Sequence, residues 1–365
     1  MKPLVVIDDG HTATKVVSRK GNEAEAFVFP SKAVLGVAEV SDGEVMGAEV
    51  YFVDEQLKPR PNQVYTIYNR EHPITVDNRF EGFPTSKQNR VLVHHALVQS
   101  GVDGDVEAVT TIPVRDYFKP SADSKLNDDL MAAKNENVQG ECYRRDNLTG
   151  EGEEPHYELT VATVLPEGVY AIYDVALSSE PKGEELAEFQ ERYFSNNSAF
   201  AVIDIGGKTT DVIIAKWNIA DASFTVDIKK SKTMKIGVMD VAVELERELE
   251  KLFGVSDLSF DALDLLEKKQ ITISGVDHDI GETVEGIVDL IGDKISDRIA
   301  PVLDGYRQFG VMVFCGGGAA LFKNIADNYP DTVVHTPKDP QFSNAMGIMK
   351  FRTVYEQFAG DGEDE

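Results

Sequence analysis

The residues best suited to chemistry lie in one short stretch, residues 201–213, with the sequence AVIDIGGKTTDVI. An apolar run leads into Asp204, a glycine pair and small hydroxyl residues, and a second apolar run follows, which predicts a strand, a tight turn and another strand. Gly206 and Gly207 let the backbone approach a ligand closely and turn successive N–H groups toward an anion. Asp204 can hold a metal ion that binds phosphate, usually through water when the ion is Mg²⁺. An ordinary glycine hairpin is the alternative interpretation of this stretch taken alone.

The letters Gly-Gly-Lys-Thr at residues 206–209 resemble the end of a nucleoside-triphosphate P-loop. That motif needs a glycine five residues before Gly207, where Val202 stands, and a helix after the threonine. The sequence has neither feature. Any phosphate binding here is therefore expected to come from a hairpin turn.

The same pattern occurs near the N-terminus, where residues 6–17, VIDDGHTATKVV, align with residues 202–213 without a gap. Six of the twelve positions are identical, and Asp8 aligns with Asp204, 196 residues later (204 minus 8). Lys15 leaves the first hairpin toward its turn, where its charge can neutralise phosphate oxygens, although a lone lysine is more often merely solvated. The repeat indicates two similar domains facing each other across one cleft, with two phosphate hairpins around one nucleotide.

A third candidate is Glu167, which follows the apolar run of residues 159–165 and lies between Pro166 and Gly168. A glutamate held at such a strand end can orient a water molecule for in-line attack on a terminal phosphate. The alternative is a solvent-facing turn glutamate, which the two hairpins make the weaker interpretation.

A fourth candidate is the run Gly316-Gly317-Gly318, which follows the buried-type strand of residues 311–315 and precedes a predicted helix start. Three glycines at such a junction permit close approach by a flat ring or a phosphate. Tight packing of helix on sheet is the rival explanation. The last predicted helix begins at residues 343–347, SNAMG, with small residues and an N-cap candidate.

The rest of the chain predicts the elements that position these segments. Helical periodicity predicts helices at residues 87–101, from 237 onward and at about 282–309, where Pro301 is expected to kink or split the helix, and a further helix is expected at about 123–137. Apolar runs predict strands at 106–113 and 159–166, and alternation predicts an edge strand at 224–235 with its lysines outward. In the helix after residue 237, the predicted core face carries Val241, Leu245, Leu249 and Leu252. The pair His94-His95 favours packing roles over a metal site, because adjacent helical residues point in different directions.

Composition limits the class of protein. The chain has 365 residues, 42% of them hydrophobic, which is enough for two globular domains. A net charge of −27 argues against direct binding to nucleic acid or anionic membrane, so any nucleic acid partner is expected to come through a basic adaptor. Two cysteines cannot form a disulfide framework or a zinc cluster. Without a membrane-length apolar run or a signal-peptide pattern, the protein is expected in the cytoplasm.

Taken together and in this order, the motifs resemble those of the actin superfamily. They are Asp8-Asp9-Gly10 with Lys15, Glu167 after Pro166, the hairpin of residues 204–211, the three glycines at 316–318, and Asn344-Ala345-Met346-Gly347. Within that superfamily the chain most resembles the ParM (StbA) plasmid-segregation actins, which share the Ile-Asp-Asp-Gly opening and the Val-His-His-Ala-Leu stretch at 93–97. The resemblance covers roughly residues 3 to 350. His11, Ala13 and Lys208 depart from the residues usual in the family.

This resemblance implies an α/β fold of two actin-like (ribonuclease-H-like) domains with a nucleotide cleft between them, domain I being residues 1–163 plus 338–365 and domain II residues 164–337. It implies an ATPase that binds ATP (ADP after hydrolysis) and Mg²⁺ and that polymerises. Asp8 and Asp204 would hold the metal, and Glu167 and Asp204 would be catalytic. The implied nucleotide contacts are Asp9, Gly10, His11, Thr12, Lys15, Gly206, Gly207, Lys208, Thr209, Gly316, Gly317, Gly318 and Met346.

The implied partners are further copies of the chain, joined head to tail in a filament, and a basic adaptor bound to a centromere-like DNA. Two other functions stay open at this point. A phage-encoded or cell-shape actin would have the same nucleotide site, and a sugar or acetate kinase shares the fold but needs an acceptor pocket that the sequence does not show. A chaperone of the DnaK type is not expected, because only a short acidic segment follows residue 358.

Overall fold

A computed structural model describes residues 2–21, 23–36, 48–68, 80, 82–119, 125–194, 199–254, 262–330 and 332–360. The chain divides into two compact units, Met1–Glu167 and Gly168–Glu365. The two predicted domains, with residues 338–365 assigned to the first of them, stay a prediction. The acidic segment after residue 360 lies outside the described residues.

Strands account for most of the framework of both units. In chain order they are β1 Leu4–Asp9, β2 Ala13–Lys20, β3 Glu23–Pro30, β4 Ala33–Leu35, β5 Ala48–Val53, β6 Val64–Tyr68, β7 Gly104–Ile112, β8 Cys142–Arg145, β9 Gly152–Glu153, β10 Tyr157–Pro166, β11 Ala199–Ile205, β12 Thr210–Asn218, β13 Ser223–Val226, β14 Lys232–Met234, β15 Gln270–Ile273, β16 Val276–Asp279, β17 Val311–Cys315 and β18 Val334–His335.

The helices pack against these strands. They are α1 Lys87–Gln99, α2 Val114–Tyr117, α3 Asp128–Val138, α4 Ala171–Ala176, α5 Gly183–Phe194, α6 Val238–Phe253, α7 Ala262–Lys268, α8 Gly281–Ile299 and α9 Ser343–Gly360. No helix within the described ranges combines the length and apolar character needed to cross a membrane.

Each unit contains a five-strand path of the same topology. In the first unit the order is β10-β7-β1-β2-β3, with β1, β2 and β3 antiparallel and β7 and β10 parallel to β1. In the second unit the order is β13-β12-β11-β17-β18, with the matching pattern of antiparallel and parallel pairs, and β14 also pairs with β12. The duplicated hairpins in the sequence therefore correspond to duplicated sheets.

The first unit also contains a second sheet, in the order β4-β6-β5-β8-β9, and the second unit contains the small hairpin β15-β16. The buried helix α1 lies between the sheets of the first unit, since it packs against β1 and also against β4. Its N-terminus is capped by Ser86, whose hydroxyl accepts a hydrogen bond from the Asn89 N–H at 3.1 Å.

The core of the second unit is built from β11, β12 and β17 together with α6 and α8. Along α6, Val241, Leu245 and Leu249 are buried at four-residue spacing, as the sequence predicts. Leu252 was wrongly assigned to that face, because it is 58% exposed in the last turn of the helix. The half-buried Phe253 packs against the core there instead.

Other elements differ from expectation at their ends. The helix predicted for residues 282–309 is interrupted at Pro301, as expected, but it ends at Ile299 and only a short 3₁₀ turn, Tyr306–Gln308, follows the break. No α-helix begins at the glycine run, which is followed instead by turns and a 3₁₀ segment, Lys323–Asn328. The predicted strand at 224–235 is divided into β13 and β14 by a turn. The helix predicted near residues 123–137 spans Asp128–Val138, and residues 120–124 lie outside the described ranges.

Candidate functional site

The turn of the first hairpin is fixed from behind by a serine. Ser31 donates its hydroxyl to the Gly10 carbonyl at 2.7 Å, and its N–H donates to the Thr12 carbonyl at 3.0 Å. The His11 ring packs against Phe83, with ring centroids 5.4 Å apart. These contacts hold the turn that carries Gly10, His11 and Thr12 in one conformation.

Two charged side chains flank that turn. Asp8 and Lys15 are cross-strand partners on β1 and β2, and Lys15 Nζ lies 3.6 Å from Asp8 Oδ2. Lys15 also reaches toward Gly10, since its Nζ is 3.4 Å from the position that a Cβ there would occupy. The Thr111 hydroxyl donates to Asp8 Oδ1 at 3.3 Å. A carboxylate and a cation at the mouth of one turn form a pair suited to a metal ion and a phosphate.

Asp9 has a different environment from Asp8. Its side chain is 1% exposed and forms an ion pair with the equally buried Lys134 of α3, at 2.6 Å. It also accepts hydrogen bonds from the Asn89 side-chain amide at 2.5 Å and from the Thr111 N–H at 3.2 Å. The carboxylate is thus enclosed by protein donors, and its predicted contact with nucleotide stays a prediction.

Glu167 follows β10 at the edge of the sheet where the acidic turn lies. Its N–H donates to the Ile112 carbonyl at the end of β7, at 2.8 Å. The carboxyl ends of the parallel strands β1, β7 and β10 meet at this edge, so Glu167 is two strand spacings, roughly 10 Å, from the line of β1. Glu167 is half-buried. A side chain at that distance suits a water held beyond a phosphate at the hairpin.

In the second unit the turn of residues 206–209 is closed by a hydrogen bond from the Gly206 N–H to the Thr209 carbonyl, at 2.8 Å. The Gly206 and Gly207 carbonyls accept from the first N–H groups of α6, those of Val238 at 3.2 Å and Met239 at 2.7 Å. The N-terminus of α6 thus binds the carbonyls of both glycines of the turn. Lys208 and Thr209 are half-buried.

Gly237 permits this close approach of turn and helix. A Cβ at Gly237 would lie 2.5 Å from the Gly206 carbonyl oxygen and 2.8 Å from that of Gly207. Both oxygens belong to the backbone, which cannot rotate away as a side chain can. The sequence shows Gly237 as a helix start, but only the structure shows that the second hairpin requires it.

Asp204 is surrounded by glycines at the carboxyl ends of β11 and β17. A Cβ at Gly168 would lie 3.3 Å from Asp204 Oδ2, and a Cβ at Gly316 would collide with Asp204 Oδ1. The Gly318 N–H donates to the Ile205 carbonyl at 2.7 Å. The structure therefore brings the glycine run directly against the carboxylate of the second hairpin.

The three glycines of the run have different surroundings. Gly316 and Gly318 are buried against the end of β11, whereas Gly317 is exposed and a Cβ there would meet no atom of the described residues within 4 Å. The Gly316 N–H donates to the Pro340 carbonyl at 2.8 Å, which ties the run to the segment before α9. Gly317 is thus the member of the run that is open to a ligand.

Met346, the last predicted contact, lies half-buried in the first turn of α9. This helix is fixed to α4 through Asp174, which accepts from the Ser343 hydroxyl at 2.8 Å and pairs with Lys350 at 2.7 Å. Asn344, two residues before Met346, is buried, and neither its amide nitrogen nor its amide oxygen has a hydrogen-bond partner among the described residues.

The two adjacent histidines have the packing roles expected from sequence. His94 donates from Nε2 to the Val138 carbonyl at 3.0 Å, which leaves Nδ1 to accept from the Tyr157 hydroxyl at 2.7 Å. His95 Nδ1 lies 2.9 Å from the Tyr51 hydroxyl. In the described parts of the chain, no three His, Cys, Asp or Glu side chains are grouped so that they could hold a metal ion.

Comparisons with known proteins match both parts of the chain to family models. Residues 3–178 match the family model described as "Plasmid segregation protein ParM, N-terminal", and residues 202–327 match "Archaeal actin homologue MreB-like, C-terminal". A search of curated protein sequences finds no significant match.

Solved structures share the fold over nearly the whole chain. A 15-stranded ParM filament from Clostridium botulinum has a TM-score of 0.71 at 17% identity, covering 96% of this chain and 98% of that one. An archaeal actin homologue in complex with ADP has a TM-score of 0.69 at 21% identity, covering 97% and 99%. ParM from Bacillus thuringiensis with ADP has a TM-score of 0.66 at 14% identity, covering 98% and 99%.

The duplicated sheets and their acidic glycine hairpins define an actin-like fold, and the two family models that match the chain both describe actin-like domains, in agreement with the resemblance that its motifs predicted. Its N-terminal part matches the ParM (StbA) plasmid-segregation proteins and its C-terminal part the MreB-like archaeal homologues.

Proposed function

We propose that this protein is an ATPase that binds ATP with Mg²⁺, polymerises head to tail into filaments, and disassembles after hydrolysis. In a cell, these filaments would move plasmid DNA through a basic adaptor protein that binds a centromere-like site. The observation that carries the proposal is the duplicated acidic hairpin, with Asp8 and Asp204 at equivalent strand ends. The ParM match of residues 3–178 supports the segregation role.

The described side chains fit a nucleotide. Around Asp204, glycines leave room that any Cβ would fill, and Gly317 is open at the glycine run. Asn344 adds a buried amide whose donor and acceptor are unused within the described chain, which suits the polar edge of a base or the hydroxyls of a ribose. The ADP in two of the structural neighbours supports the same kind of ligand.

The donor set also fits Mg²⁺. Asp8 and Asp204 offer carboxylate oxygens, the type of ligand that this cation prefers, and Mg²⁺ commonly takes only one or two carboxylates and fills its other positions with water and phosphate. When bound, the ion would neutralise charge on the phosphates. Both hairpins are proposed to contact the phosphates of the same nucleotide.

Each residue then has a distinct role in the chemistry. The N–H groups of the two turns, together with Lys15 and Lys208, bind phosphate oxygens. Glu167 orients a water molecule in line with the terminal phosphate. It accepts the water's proton as the oxygen–phosphorus bond forms and the bond from that phosphorus to the ADP leaving group breaks. Assembly would speed this step by aligning Glu167 and the water, because conformational closure commonly completes a catalytic arrangement.

Light scattering after ATP addition tests the proposal. The signal is expected to rise as filaments form and to fall as ATP is consumed. The signal of the Glu167→Ala variant is expected to rise equally but to persist, because hydrolysis slows roughly 100-fold or more. A protein that stays monomeric at high concentration with ATP and Mg²⁺ would contradict assembly. A Glu167→Ala variant that hydrolyses ATP at the original rate would contradict the role of Glu167.

A further inference from the structure

Lys134 is a buried lysine outside every motif recognised in the sequence. Its side chain is 1% exposed, although lysine is almost never fully buried unless its charge is paired. Its Nζ forms the 2.6 Å ion pair with Asp9 and donates to the Thr111 carbonyl at 2.5 Å. Because its side chain is enclosed, Lys134 cannot itself contact a bound nucleotide.

Through these partners, Lys134 is connected to the carboxylate that flanks the turn. Thr111 accepts from Lys134 at its carbonyl, donates its N–H to Asp9, and donates its hydroxyl to Asp8 Oδ1. Two consecutive carboxylates therefore share one threonine, whose carbonyl also accepts from Lys134. Of the two, only Asp8 pairs with Lys15 beside the turn.

The second hairpin provides an internal comparison. In the alignment of the two hairpins, Asp9 corresponds to Ile205, which is fully buried. An apolar side chain is thus sufficient to support a hairpin of this topology, and a buried ion pair is in general weak evidence for stability. The charged pair at Asp9 and Lys134 needs a reason other than folding alone.

The geometry points to Lys134 as a positioning residue for the phosphate site of the first hairpin, an inference that rests on the proposed function. Lys134 cancels the negative charge of Asp9 directly behind the turn, so that Asp8 is the carboxylate presented to the metal ion. It also anchors α3 to the turn through Asp9 and Thr111. Without Lys134, an uncompensated carboxylate in a low-dielectric setting would repel the phosphates of the nucleotide.

Three variants separate this role from simple packing. Lys134→Met keeps the length of the side chain but leaves Asp9 charged and unpaired. Asp9→Asn leaves the lysine charge uncompensated, and the double variant removes both charges together. Lys119→Met is the matched control, since Lys119 pairs with Asp129 of the same helix at 3.0 Å but on the protein surface.

The measurement is the affinity for ADP with Mg²⁺ by calorimetry, with thermal unfolding recorded for each variant. Lys134→Met is expected to weaken ADP binding roughly 10- to 100-fold, and Asp9→Asn to strengthen it a few-fold, because the two variants change the charge behind the turn in opposite directions. The double variant should recover to within about five-fold of the wild-type affinity, and Lys119→Met should match wild type.

Equal weakening of binding by Lys134→Met and Asp9→Asn would overturn the inference, because a packing role predicts the same harm from either substitution. An unchanged affinity in a folded Lys134→Met variant would also overturn it. If Lys134→Met does not fold, the other two variants decide: retained binding in both supports the inference, and weakened binding in both overturns it. Failure of the wild-type protein to bind ADP would instead contradict the proposed function.

Discussion

The two buried histidines of α1 should make the first unit sensitive to mild acid. Burial lowers the pKa of His94 from 6.5 to about 4, despite the hydrogen bond to the Val138 carbonyl that favours the charged ring. Burial, with a smaller contribution from the Arg144 charge, lowers the pKa of His95 to about 4 as well. Both rings are therefore neutral in the folded protein at pH 5, where an unfolded chain would carry them charged.

The sign and size of the effect follow from linkage between protonation and folding. Since the folded pKa lies below the unfolded one, the stability from these rings is complete above about pH 6.5 and is lost as pH falls toward 4. At about 1.4 kcal/mol per pKa unit, each ring lowers the free energy of unfolding by roughly 2 kcal/mol when the pH falls to 5, so the two rings together lower it by roughly 4 kcal/mol. This is a large part of the roughly 5–15 kcal/mol that stabilises a typical domain.

Denaturant unfolding of the first unit between pH 7.5 and 5 measures this loss, with hydrogen exchange of α1 amides to identify the unit. The free energy of unfolding of the wild type should fall by roughly 4 kcal/mol over this range because of the two rings. In a His94→Gln/His95→Gln variant, the fall in the free energy of unfolding should be smaller by that amount. His156→Gln is the control, because His156 is an exposed ring of the same unit. The same pH dependence in the double variant, or imidazole NMR signals of both rings that titrate near pH 6.5, would refute the reasoning.

Three further predictions concern glycines and net charge. Gly347→Ala should destabilise the second unit by about 1–3 kcal/mol in thermal unfolding, because the added Cβ would collide with the Tyr170 carbonyl. Gly286→Ala, at a helical glycine with open space around it, should stabilise the unit by up to about 1 kcal/mol. Equal effects of the two substitutions would show that the helix packing is misassigned. Gly317→Val should weaken ADP binding in calorimetry roughly 10-fold without lowering the unfolding temperature, whereas Gly316→Ala should lower both the ADP affinity and the unfolding temperature. A Gly317→Val variant with wild-type affinity would exclude that glycine from the site. Raising monovalent salt from about 0.05 to about 0.5 M should lower the critical concentration for assembly seen by sedimentation, because it screens the repulsion between chains of net charge −27; weaker assembly in salt would contradict this.

The hairpins are predictable from sequence because their information is local. An apolar run, a glycine turn and a second apolar run specify strand, turn and strand, and the alignment of the copies places Asp8 and Asp204 at the same point. The structure adds the register, in which Asp8 faces Lys15 while Asp204 faces Asp211. The resemblance between the two hairpins thus extends to the backbone and not to the charges that flank it.

The failed helix prediction at the glycine run has a tertiary cause. The N–H groups of Gly316 and Gly318 donate to the carbonyls of Pro340 and Ile205, and Gly316 has a φ of 87°, a left-handed conformation that an α-helix does not contain. These acceptors are distant in sequence, so local propensity cannot reveal them. The same contacts place the run against Asp204.

Lys134 was missed for a similar reason, since its partner Asp9 lies 125 residues earlier. One signal was available in the sequence. Lys134, Asn137 and Val138 have the i, i+3, i+4 spacing of a buried helix face, and all three are buried. A lysine at such a position, together with an extra carboxylate beside the expected metal ligand, would have indicated an ion pair.

The number of nucleotides bound per chain tests most directly whether both hairpins serve one site. Calorimetric titration of ADP with Mg²⁺ should give one equivalent per chain, and Asp8→Ala and Asp204→Ala should each weaken that same equivalent roughly 10-fold or more. Asp129→Ala, at an exposed aspartate, is the control. Two equivalents, of which each substitution removes one, would contradict a shared site, as would an affinity that neither substitution changes.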